Sequence, residues 1–262
     1  MLSRINTMSS SKKHAGFDTE RLRNSLLQKH SYKKLLQTYS SRFPAIPNNN
    51  TGLFWDTRFT KEHGESVHHM EIDRNRFVST FVQKNTKVLN LGSGGGMVEN
   101  MVHQSLGNKV QWTGTDITTQ SLNSLRHQFP RWSFIQTALE KLPFLDKTFD
   151  TIFLLEVLEH VSPHHTFHVL QEIRRVIKPN GRFIISVPLN EGLEYMYPQN
   201  PNAHVRVYSP KLVLFELRHA GFFVEHVKYL TAFPNMYRVK TWINTIFHLR
   251  EANNMICVCR PQ

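Results

Sequence analysis

Val88-Leu89-Asn90-Leu91 runs directly into Gly92-Ser93-Gly94-Gly95-Gly96, and this junction restricts the chain more than any other stretch. Four of the twelve glycines fall in five positions. The mostly apolar residues before them read as a short buried strand, and Met97 to Leu106 after them can form a helix. Strand, glycine turn and helix together bring backbone close to a nucleotide-like ligand. Glycine tolerates positive φ and has no Cβ, and the first helical turn presents free N–H groups.

Downstream of Lys87, short apolar runs alternate with helical spacing. Strands are expected over 87–91, 109–115, 132–136, 150–155, 182–187, 222–229 and 255–260, and helices over 97–106, 118–128, 164–177 and 210–220. This order predicts an α/β fold: a doubly wound, mostly parallel seven-stranded sheet with helices on both faces. Upstream, a helix is expected near 73–83, and a basic one from Thr19 to about Ser40. Pro44, Pro47 and Asn48-Asn49-Asn50 break the pattern. The division expected is a partly disordered, basic N-terminal helical arm over 1–50 and a ligand-binding domain over 51–262.

Charge supports that division. Nine Lys/Arg against two acids give residues 1–50 a net charge of +7 out of the chain's +12. Such an arm suits a polyanion such as RNA or an acidic membrane surface, and equally a solvated helix face with a tail. No apolar run reaches the roughly 18 residues of a membrane span, and no secretory leader is evident. Cys257 and Cys259, one residue apart, do not make a disulfide scaffold, so a cytoplasmic location is expected.

The glycine turn lacks both standard phosphate signatures. Met97 stands where a nicotinamide site wants its third glycine, and Gly-Lys-Ser/Thr is absent. Asp116 ends the next strand, where a carboxylate can hold a ribose diol; it can equally cap the helix that begins at Thr118-Thr119. Ile117 beside it can cover a purine face.

Further segments follow at characteristic spacing: Leu142-Pro143-Phe144, Thr148-Phe149-Asp150, Glu156-Val157-Leu158-Glu159-His160-Val161 and Ile177-Lys178-Pro179-Asn180-Gly181-Arg182. With the glycine turn, they make roughly residues 75–229 resemble the class I, Rossmann-like S-adenosylmethionine-dependent methyltransferases. The branch most resembled is the small-molecule one that includes ubiquinone-biosynthesis O-methyltransferases. The resemblance implies S-adenosylmethionine as cofactor. Gly92, Ser93 and Gly94 would lie against its methionine part, Asp116 on the ribose and Ile117 on the adenine. Ala138 and Leu139 would flank the adenine edge, and Leu155 would lie beneath. Two departures stand out. Asn90 replaces the usual first-strand carboxylate, and Ala138 replaces an Asp that accepts from the adenine amino group. Both imply weaker cofactor binding.

Methyl transfer needs an aligned acceptor, excluded water and sometimes a base. Glu156, Glu159 and His160 have i, i+3, i+4 spacing and share one side if the segment is a helical turn. His160 and Glu156 are the catalytic candidates. The Glu-x-x-Glu-His spacing resembles the metal-binding motif of the ubiquinone O-methyltransferases and of small-RNA 3′-terminal 2′-O-methyltransferases. That likeness implies a divalent cation such as Mg held by Glu156, Glu159, His160 and His204. The alternative is a metal-free pocket histidine with a structural Glu159. His164, His165 and His168 read as a solvated helix start, and His68-His69 as a lid or chance surface pair. The loop 189–208, with Tyr195 and Tyr197, should face the substrate. Residues 230–254 suit a lid, a membrane-contacting face or packing against the sheet, with packing as the default.

The expected function is methyl transfer to an oxygen of a small or lipid-like molecule. An RNA methyltransferase and a catalytically weak S-adenosylmethionine-binding protein are the alternatives.

Overall fold

The computed structural model describes residues 50–62, 69–189, 203–233, 236–247 and 249–262. The basic arm, apart from its last residue, His68, Tyr195 and Tyr197 lie outside the described residues. Among the described residues seven strands run: β1 (Lys87–Leu91), β2 (Gln111–Asp116), β3 (Ser133–Gln136), β4 (Phe149–Leu155), β5 (Ile177–Pro188), β6 (Phe222–Leu230) and β7 (Asn254–Pro261). The helices are α1 (Gly52–Glu62), α2 (His69–Ser79), α3 (Met97–Leu106), α4 (Thr119–Gln128), α5 (Thr166–Val176), α6 (Pro210–His219) and α7 (Tyr237–Phe247).

The strands form one sheet in the order β3-β2-β1-β4-β5-β7-β6. Pairs from β3 to β5 are parallel, and β7 is antiparallel to both β5 and β6. The α/β expectation agrees with this mixed sheet. Successive residues of β1, β4 and β5 are buried on both faces of the sheet, as helix-covered parallel strands require. One core joins Val88, Phe153, Ile184 and Ile256 to Val98 and Val102 of α3 and Leu122 and Leu125 of α4. Phe129 and Trp132 extend it as a stacked pair with ring centroids 4.9 Å apart.

Chain direction places the ligand site. From β1 the chain moves outward through β2 and β3, then returns to add β4 and β5 on the other side. The crevice at that reversal lies outside the carboxyl ends of β1 and β4. The glycine turn, Asp116, Leu155 and Glu156 all stand on this rim.

Three expectations are corrected. The helix expected near 73–83 is α2, which ends at Ser79. There Thr80, Phe81 and Val82 N–H groups bond three residues back and tighten the turn. β5 starts at Ile177 rather than 182 because Ile177 pairs with Phe149 before the register shifts and resumes at Thr151 and Arg182. The connection 230–254 contains α7, yet Trp242, Ile246 and Phe247 are exposed rather than packed on the sheet. No helix among the described residues is long and apolar enough to cross a membrane.

Candidate active site

The glycine turn is a folded loop with three left-handed residues, Gly92, Gly94 and Gly96 (φ +80°, +49° and +74°). Gly92 and Ser93 N–H groups both donate to Thr115 O at 2.8 Å, which ties the loop to β2. A Cβ on Gly92 would stand 2.5 Å from Val157 Cγ2, and one on Gly96 2.3 Å from Leu125 Cδ2. A Cβ on Gly94 or Gly95 would meet nothing within 4 Å. Two glycines are therefore required by protein packing, and two border open space.

Asp116 does two local jobs. Its Oδ2 accepts the Gly94 N–H at 2.8 Å, and its Oδ1 accepts the Thr118 N–H and hydroxyl at 2.9 Å each. A carboxylate has about four lone-pair directions, so room remains for about one further donor. Ile117 beside it is half-buried, and its carbonyl accepts from Gln136 Nε2 at 2.9 Å. Leu139 and Leu155 are half-buried, and Ala138 is exposed.

Asn90 does not stand alone. Its Nδ2 donates to Glu99 Oε1 at 2.8 Å, and Trp112 Nε1 reaches the same oxygen at 3.3 Å. Glu99 is fully buried, and burial pushes its carboxyl up to about 7 despite these bonds, of which Asn90's counts most. Asn90 Oδ1 and Glu99 Oε2 are buried without a hydrogen-bond partner among the described residues. The carboxyl group missing from β1 thus reappears on the first turn of α3. Sequence reasoning missed Glu99; its signal was an acid facing inward among Val98 and Val102.

Across the rim, Glu156 has left-handed backbone (φ +55°), and a short 3-10 turn then covers Leu158–His160. This geometry divides the Glu-x-x-Glu-His set. Glu156 turns to Arg74 Nη1 (3.2 Å), Ser186 Oγ (2.6 Å) and Asn254 Nδ2 (2.8 Å). Glu159, His160 and His204 come together, with one ligand-type atom from each lying within 4.8 Å of the others. Glu156 is not among them, because no helical turn aligns it with the other two.

His204 arrives through a buried anchor. Arg206 Nη1 meets Glu216 Oε1 at 2.8 Å and Thr166 Oγ1 at 2.6 Å, and its Nη2 donates to Leu158 O at 2.9 Å. Tyr208 OH donates to Glu216 Oε2 at 2.8 Å. Above the cluster, the start of α1 forms a cover that sequence reasoning missed. Trp55 sits edge-on to His160 with centroids 4.8 Å apart, and its Nε1 donates to Asn50 Oδ1 at 3.2 Å. Asn50 Nδ2 in turn reaches Ala203 O at 2.8 Å and His160 O at 3.2 Å. The aromatic cluster Phe54-Trp55 was the available signal. Burial, then the nearby His204, lowers His160 to about 3, so its ring is neutral at physiological pH. With Nδ1 3.4 Å from Ala203 O, the donor tautomer there leaves a lone pair on Nε2, 3.9 Å from Glu159 Oε1.

Comparison with known proteins agrees with this layout. Residues 89–185 match the family described as "Methyltransferase domain". A ubiquinone/menaquinone biosynthesis C-methyltransferase of Rickettsia typhi is 28% identical over 120 residues, covering 42% of this chain and 48% of that one. A demethylmenaquinone methyltransferase of Thermotoga maritima is 29% identical over 137 residues, covering 52% and 56%. The chain spans about half the length of these curated relatives. Among solved structures, a putative methyltransferase in complex with the Haloferax volcanii Trm112 activator has a TM-score of 0.61 at 19% identity, covering 83% of this chain and 99% of that one. The sheet order and the glycine rim are those of a Rossmann-like α/β domain, and residues 89–185 within it are similar to the methyltransferase-domain family.

Proposed function

We propose that the protein transfers a methyl group from S-adenosylmethionine to an oxygen of a small or lipid-like acceptor, with Glu159, His160 and His204 on the acceptor side. The observation that carries this reading is the convergence of those three side chains within 4.8 Å on the ligand rim. The quinone-pathway names of the relatives support a lipid-like acceptor; the C-methyltransferase name of the Rickettsia typhi protein puts its methyl on carbon, so oxygen rests on the three side chains alone.

The residues present suit the cofactor. Open space at Gly94 and Gly95 admits a ligand, and a carboxyl group with an unpartnered oxygen lies behind the loop for a cationic one. When bound, S-adenosylmethionine supplies an activated methyl group. Asp116 would hold its ribose and the glycine loop its methionine part, and α1 keeps water from His160. A group that titrates near 3 is a poor general base at neutral pH, but its neutral ring is a good ligand or hydrogen-bond acceptor. We therefore assign Glu159, His160 and His204 to a divalent cation that would increase the acidity of an acceptor hydroxyl. Two imidazoles and one carboxylate suit a transition ion such as Mn, Fe or Zn better than Mg. Glu156 is assigned to holding the end of β4.

Labelled S-adenosylmethionine incubated with cell extract should mark the lipid or small-molecule fraction, and NMR of the product should place the methyl on oxygen. Label confined to RNA, or a methyl on carbon, overturns the reading. Elemental analysis should find a transition ion in the wild-type protein that His204→Ala lowers; equal content in both sinks the cation assignment.

A further inference from the structure

α7 is amphipathic in the wrong direction for a helix of a water-soluble domain. Its polar side faces the protein: Asn244 Nδ2 donates to Thr231 Oγ1 at 3.2 Å, and Asn244 Oδ1 accepts the Arg250 N–H at 2.8 Å. Tyr237 is buried on that side and stacks on His69 with centroids 5.7 Å apart. The apolar side faces outward. Trp242 is 65% exposed, Phe247 64% and Ile246 50%, with Met236 and Val239 beside them. At 100° per residue these side chains span an arc of about 140°, and Arg238 and Lys240 stand at its two edges.

The charge around this face has one sign. No Asp or Glu occurs from 227 to 250, while Lys228, Arg238, Lys240 and Arg250 do. Arg238 and Lys240 form no ion pair among the described residues. The carboxylate that acts on this helix, Asp73 beside Tyr237, lies on the protein side and is bound to Arg76 at 3.1 Å. A two-fold dimer through this face would set each cationic edge against its own copy, which disfavours a second chain as the cover. An anionic lipid surface complements both features, because it takes Trp and Phe at the acyl boundary and Lys or Arg at the phosphates.

Position adds to this. β6 is antiparallel to β7, and β7 to β5, so β6 ends on the same rim as β1 and β4. α7 follows β6 there.

We propose that the outer face of α7 docks on an anionic bilayer, with Trp242, Ile246 and Phe247 entering the headgroup–acyl boundary and Arg238 and Lys240 meeting lipid phosphates. This places the ligand rim at a membrane surface, and it stands whether or not the acceptor is a lipid.

The test is flotation of the full chain with phosphatidylcholine vesicles, with and without phosphatidylserine, using brominated acyl chains as a quencher. The basic residues 1–50 can bring the chain near such vesicles unaided, so insertion is read from quenching. Trp112 and Trp132 are buried, at 2% and 7% exposure, and Trp55 is half-buried against His160, so the share of quenching lost in Trp242→Phe is what reports on Trp242. Quenching that Trp242→Phe removes, while flotation persists, is the expected result. Trp242→Glu/Ile246→Glu should weaken vesicle binding by about tenfold or more. Arg238→Glu/Lys240→Glu, outside the apolar arc, should abolish the preference for phosphatidylserine. Bound protein with an unquenched Trp242, equal flotation of all variants, or a dimer that Trp242→Glu dissolves would overturn the proposal. Neither cofactor nor acceptor is present, so failure here leaves the methyl-transfer reading standing, and the reverse holds as well.

Discussion

The two walls of the crevice are built by different means. The wall we assign to the cofactor is local: Gly94 and Asp116 are 22 residues apart, and Asn90 and Glu99 only 9. Backbone conformation and short hydrogen bonds hold it. The wall we assign to the acceptor is assembled from distant segments, with Asn50 bonded to His160 and Ala203 across 110 and 153 residues. What holds it is the buried Arg206–Glu216–Tyr208 network, whose two charged side chains are fully inaccessible. A local wall follows from one strand–turn–helix unit. A distant one needs an anchor that fixes the chain between β5 and α6.

Removing that anchor should have the largest effect. Glu216→Ala leaves Arg206 buried without its carboxylate, at a cost of about 3–5 kcal/mol. Urea unfolding should show this loss, and crosslinking or NMR should show His204 separating from His160. Cofactor affinity should fall far less than activity. An equal fall in both would mean that the walls are not independent.

The cofactor wall has one buried ionisable group of its own, and pH exposes it. Glu99 titrates near 7 in the folded chain, against an ordinary value of 4.5. Below pH 4.5 it is protonated whether folded or unfolded. Between 4.5 and about 7 the unfolded chain loses the proton and the folded chain keeps it. Stability therefore declines as pH rises through that window, by about 3 kcal/mol, and levels off above it. Glu99→Gln should remove this slope and be the more stable protein at pH 8, yet bind S-adenosylmethionine more weakly. Unfolding curves for both proteins at pH 5 and 8 decide it; parallel curves would show that Glu99 carries no such linkage.

The same contrast explains what could be read from residues alone. The strands and α3 to α6 were legible because apolar runs and helical spacing are local signals, and Gly92 to Gly96 marked the turn between them. Asn90 looked like a lost charge because Glu99 brings a carboxyl group to it from a different element, through a contact no spacing rule encodes. Glu156 looked like a partner of Glu159 because helical spacing was assumed where its backbone is left-handed. α1 was missed since Trp55 faces His160, about a hundred residues away, rather than a helical neighbour. α7 was legible as a helix, but its packing was inverted: periodicity reports an apolar face without saying which way it points.

Asp116 tests how far the local wall serves the ligand rather than itself. Asp116→Asn exchanges one of two acceptors for a donor, opposite either Gly94 N–H or Thr118. Losing charge-assisted bonds of this kind costs about 1.5–3 kcal/mol each. Calorimetry should find cofactor affinity reduced by about tenfold or more. If affinity holds while stability falls, Asp116 belongs to the helix start alone.

The smallest effects come from a pair of neighbouring glycines that separates folding from binding within four atoms of backbone. Gly96→Ala forces a Cβ onto a residue at φ +74° and within 2.3 Å of Leu125 Cδ2, so the loop must move or Leu125 must repack. Left-handed strain at a non-glycine residue costs about 1–3 kcal/mol, and thermal unfolding should register it. Gly95→Ala meets nothing within 4 Å and has no positive φ, so stability should change by less than about 0.5 kcal/mol. A methyl group in that open space is felt by a ligand and by nothing in the protein. Reduced cofactor affinity with unchanged melting is therefore the signature of a loop that faces its ligand at Gly95 and its own core at Gly96. Unchanged affinity in Gly95→Ala would move the cofactor away from this side of the loop and leave Gly92, Gly94 and Asp116 to hold it.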